Sequence, residues 1–93
     1  MTEPGDSMEQ QAGRYQLQQS AAWVADAMNG LFAPYAAAQK LLELTEDYPA
    51  TREATAALWE LVGQHDACAP ADRVTVSEQI RAEILRLRDT SAS

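Results

Sequence analysis

Leu17, Ala21, Val24, Met28, Leu31, Tyr35, Ala38 and Leu42 follow one another at alternating steps of four and three. That spacing is the stripe of a helix burying one seam. Asn29, Gly30 and Pro34 interrupt it. The predicted outcome is a break. The first helix runs to Met28, and Asn29-Gly30 gives it a left-handed C-terminal cap. Leu31 to Ala33 form an apolar connection, and Pro34 opens the second helix, where a missing N–H is not required. The competing arrangement is one kinked helix, in which Pro34 leaves the Gly30 carbonyl without its donor.

The second helix carries Tyr35, Ala38, Leu41, Leu42 and Thr45. It is expected to end by Tyr48, because Pro49 disfavours helical geometry in the residue before it. Thr51 is the predicted cap of a third helix over residues 52–63, with Glu53 in its first turn. Ala54, Ala57, Leu58, Leu61 and Val62 give that helix an apolar face. Residues 64–72 read as a loop. Thr75 and Glu78 have capping-box spacing, and the helix beyond them carries Val76, Ile80, Ile84 and Leu87. The one strand-like run is Val74-Thr75-Val76. At the N-terminus, Asp6 or Ser7 is a candidate cap with Glu9 in the first turn, and Gly13 delays solid helix to about Tyr15. The expected organisation is a disordered tail over residues 1–6, one helical domain over 7–89 and a tail over 90–93. The predicted fold class is all-α: an antiparallel bundle of three to four amphipathic helices.

Size turns this bundle toward assembly. A chain of 93 residues buries only roughly 60–65% of its unfolded surface. Many of its apolar residues are alanines, which contribute little area each. Dimerisation enlarges such a core, so a homodimer is expected. The net charge of −7 works against a phosphate backbone, which makes nucleic acid a poor partner. Charge is also uneven. Residues 1–72 hold eleven acids and three bases, whereas residues 73–93 hold three acids and four arginines. No apolar run reaches the ~18 residues that span a bilayer, so no membrane partner is expected. The lone Cys68 excludes an intramolecular disulfide and fits a reducing compartment. The start, Met1 to Asp6, has no basic region leading into an apolar one, so the expected location is cytoplasmic. Six arginines to one lysine and eighteen alanines suit a GC-rich bacterial coding sequence.

Candidate chemistry is sparse. His65 and Cys68 form an H-x-x-C pair, but a structural zinc site needs four ligands and the chain has one histidine and one cysteine. The same pair lacks the third, orienting group that nucleophilic catalysis uses. Glu43 and Glu46 lie three apart on a wet helix, with nothing to desolvate one and raise its pKa. The glycines are scattered rather than gathered in a phosphate loop. No enzyme activity, cofactor or metal is therefore expected. The large apolar residues off the seams are more telling. Trp23 lies about 100° around its helix from Val24, and Trp59 flanks Leu58 and Val62. Aromatic residues left over from a core are what interfaces use, the alternative being that they widen the core of a small bundle. Trp23, Met28, Phe32, Trp59 and Leu85 form the predicted partner-binding set. The expected role is a small acidic adaptor, inhibitor or chaperone-like regulator of a partner protein. The alternatives are a self-associating structural subunit and a DNA-binding regulator that uses the basic last helix.

Overall fold

The structure, a computed structural model, describes the backbone of residues 4–92 and the side chains of Met8 and residues 10–89. Four helices make it up: α1 (Pro4–Ala27), α2 (Pro34–Thr45), α3 (Ala56–Ala67) and α4 (Arg73–Ala92). No strand occurs among the described residues.

Proline sets the starts. Each of the four prolines is the first residue of a helical segment: Pro4 of α1, Pro34 of α2, and Pro49 and Pro70 of one-turn 3₁₀ helices. Before Pro34 and Pro70 the chain is extended, with ψ 156° at Ala33 and 153° at Ala69. That is the conformation which the proline ring imposes on its predecessor. At the other boundary Gly30 adopts φ +145°, a region that favours a residue without Cβ. The chain turns there, and the amides of Leu31 and Phe32 both donate to the Ala27 carbonyl at 2.8 and 3.0 Å. The stripe therefore divides into two helices. Leu31, inside the predicted stripe, swings out and is 83% exposed.

Two predicted boundaries need correction. Thr51 does not cap α3. Its hydroxyl proton is shared between the carbonyls of Tyr48 (2.8 Å) and Thr45 (3.2 Å), so it closes the end of α2. Turns over residues 52–55 follow, and α3 starts at Ala56 rather than Arg52. It also continues through Gly63 to Ala67, because the extended geometry before Pro70, not the glycine, ends it. Likewise the capping box at Thr75 is pre-empted. The 3₁₀ turn Pro70–Asp72 runs directly into Arg73, so Val74-Thr75-Val76 lies inside α4 and is no strand. At the two ends the helices reach further than predicted: α1 starts at Pro4, and α4 continues to Ala92. Residues 1–3 and 93, and the capping side chains of Asp6, Ser7 and Glu9, lie outside the described residues.

Contacts fix the directions. Gln16 Nε2 donates to the Leu44 carbonyl at 3.1 Å, and Gly13 faces Ala50, Thr51 and Tyr48. The first half of α1 thus lies beside the end of α2. The Tyr35 hydroxyl donates to the Asp66 carboxylate, so the start of α2 lies beside the end of α3. Both helical pairs are antiparallel. The fourth helix, α4, packs against all three others. The core takes Leu17, Ala21, Val24 and Met28 from α1, and Ala37, Ala38, Leu41 and Leu42 from α2. From α4 it takes Val76, Ile80, Ile84 and Leu87. The third helix gives only Leu58 to the fully buried set, with Leu61 and Val62 partly covered. It is the least deeply anchored element.

Two glycines should respond to substitution in opposite directions. Gly30→Ala places a side chain at positive φ and is expected to cost about 1–2 kcal/mol. Gly63 sits mid-helix, and the space into which a methyl would project is open, so Gly63→Ala is expected to stabilise by up to ~1 kcal/mol. Thermal denaturation of both variants beside the wild type checks the signs.

Candidate functional site

The described core closes without either tryptophan. Trp23 is 51% exposed on α1 and Trp59 is 55% exposed on α3. Trp23 meets Phe32 edge-on, with ring centroids 6.0 Å apart and planes at 71°. Phe32 itself is half-buried against the core. Together with exposed Leu31, they form an apolar face beside the α1–α2 connection. Leu85 is half-buried beside the α4 stripe. Met28, also in the predicted partner-binding set, is a core residue only 6% exposed. It lies in the interior and presents no surface.

Trp59 stands apart from Trp23's ring contact and lines a groove between α2 and α3. The groove has a volume of about 500 Å³. Gln39, Leu42 and Glu43 of α2 and Glu46 just past its end line one side, and Thr55, Trp59 and Val62 the other. Gln39, Glu43 and Glu46 step by four and three residues, as do Thr55, Trp59 and Val62, so each wall is one helix face. Composition alone offers no reason to read the polar face of α2 as a site. The matched spacing of the two walls is the one signal that the sequence holds for it. Within the groove, Thr45, Thr51 and Thr55 all donate their hydroxyl protons to backbone carbonyls. Their hydroxyl protons are therefore taken.

The groove's far end is pinned by a polar cluster. Gln39 Nε2 donates to the Tyr35 hydroxyl oxygen at 3.1 Å, and that hydroxyl donates to Asp66. The His65 ring stacks on Tyr35, with centroids 4.2 Å apart. Cys68 lies one turn on and its thiol contacts the His65 carbonyl at 3.4 Å. His65 and Cys68 are thus engaged within the fold rather than converging on a common point. No group of three His, Cys, Asp or Glu side chains able to hold a metal occurs among the described residues.

Asp66 raises the Tyr35 phenol above its ordinary value, first by accepting its proton; desolvation and the carboxylate charge add to this, and Arg73 opposes it. The raised value means that the link stabilises the fold below the unfolded phenol's pKa, near 10, and is lost as pH rises through the folded one. Asp66→Asn is expected to lower the titration midpoint of the Tyr35 ring carbons, followed by NMR. An unchanged midpoint would show that the hydroxyl is bonded to water instead.

No protein-family model, curated protein or solved structure matches the chain.

Proposed function

We propose that this protein is a small acidic protein–protein interaction module, acting as an adaptor, inhibitor or chaperone-like regulator, and that it is a homodimer. One observation carries the reading. Two tryptophans stay about half exposed, at 51% and 55%, on different helices of a bundle whose buried core lacks them. Tryptophan is costly to leave in water and is over-represented among residues that dominate binding energy. No described helix is long and apolar enough to cross a membrane, so a bilayer-spanning helix does not account for them.

The two aromatic sites suit different tasks. The Trp23–Phe32 face is apolar and carries Leu31 beside it, which favours self-association. That observation also supports the second reading, a purely self-associating subunit. Trp59 borders a polar-rimmed groove, which favours a different protein. A DNA-binding role draws less support, because Arg86 and Arg88 on the basic helix pair with Glu83 and Asp89.

Sedimentation equilibrium at micromolar concentration is expected to give about twice the 10.2 kDa chain mass, falling to one chain in Trp23→Ala. Capture of partners from the source cells is expected to lose its specific protein in Trp59→Ala. A monomeric wild type would remove the homodimer. Capture that is blind to both tryptophans would remove the interaction reading.

A further inference from the structure

We propose that the α2–α3 groove receives a basic amphipathic helix from a partner protein, with one large apolar side chain seated against Trp59. This inference rests on the interaction reading and names the chemistry of the partner.

The apolar part follows from the groove's interior. Leu42, Val62 and the Trp59 ring line it, and its threonine hydroxyls are already committed to backbone carbonyls. Polar groups on the entering side chain find partners at the rim, in Glu43 and Glu46, and not against Leu42 and Val62. An apolar side chain loses no hydrogen bond there, and about 500 Å³ accommodates one with room for its helix to settle.

The basic part follows from charge. From Pro34 to Ala67 the chain holds six acids against two bases, which is more than half of its net −7. Glu43 and Glu46 lie on the groove itself, with Arg52 as the opposing charge. Lys40 pairs with Glu43 at 2.9 Å, an exposed contact that cations on a docked helix can displace. A second copy fits less well, because it brings another −7 to an acidic surface.

The helical part follows from the backbone. No sheet edge exists among the described residues, so an extended segment finds no main-chain partners. A helix satisfies its own backbone and lays one face between two others. The lining runs from Gln39 to Glu46 on one wall and from Thr55 to Val62 on the other, about two turns each, which suits the central turns of a docked helix.

The test uses the full chain and a synthetic 14-residue helix with leucines at i, i+3, i+7 and i+10 and lysines elsewhere. Controls are the same peptide with glutamate replacing lysine, and a scramble of equal composition. Calorimetry at low and moderate salt measures affinity, and amide NMR shifts locate it. The expected result is binding of the lysine peptide alone, with shifts confined to α2 and α3. Trp59→Ala should weaken it about 30-fold, Trp59→Phe much less. Glu43→Gln with Glu46→Gln should weaken it several-fold and flatten its salt dependence. Circular dichroism checks that each variant keeps its helix content. No binding at low salt overturns the proposal, as does equal binding of either control or indifference to Trp59. Loss of the dimer in Trp59→Ala would place a second copy in the groove and also overturn it. If host-protein capture depends on Trp59 while every peptide fails, the interaction reading stands and the basic-helix occupant falls.

Discussion

The packing of one stripe on α4 holds this bundle together. Val76, Ile80, Ile84 and Leu87 are buried, and α4 meets each of the other three helices. The chain has few large apolar residues for its length, so most of the close helix approach relies on alanines such as Ala21, Ala37 and Ala38. Small residues let backbones approach but bury little area each. The isoleucines of α4 supply what the alanines lack. A core of this size leaves little stability in reserve, so losing that stripe would be felt throughout the fold.

This division of labour has a consequence at α3. With Leu58 alone fully buried, α3 is held at one end by the Thr51 and Thr55 hydroxyl bonds and at the other by Tyr35, Asp66 and His65. Between those pins α2 and α3 part, and the groove opens. The polar links are exposed or local to the backbone, so they orient α3 more than they stabilise it.

Much of the architecture is legible from local rules. Proline is the most reliable signal, because its ring acts on its own residue and its predecessor whatever the tertiary context. It marks the starts of α2 and of both 3₁₀ turns. The α4 stripe follows from helical spacing; the same spacing sets both tryptophans off the seams but does not decide whether they widen the core. Capping signals fail at Thr51 and Thr75, since a hydroxyl can donate backward or sit inside a helix that has already begun. Gly63 also misleads, because one glycine costs a helix only about 1 kcal/mol. Met28 does not join the partner-binding residues, because the stripe that carries it is the buried one. The groove is not legible from either helix by itself. It depends on which polar face of α2 meets which face of α3, and no local rule contains that information.

The core is complete without the tryptophans, whose side chains stay about half exposed. Urea denaturation of Ile80→Ala, Trp23→Ala and Trp59→Ala at one fixed concentration, with mass measured alongside, tests this most directly. The predicted loss is about 2–5 kcal/mol for Ile80→Ala. For each tryptophan, whose ring already lies half in water, it is about 1–2 kcal/mol or less. A tryptophan variant that keeps the wild-type mass yet loses as much stability as Ile80→Ala would contradict a core complete without it.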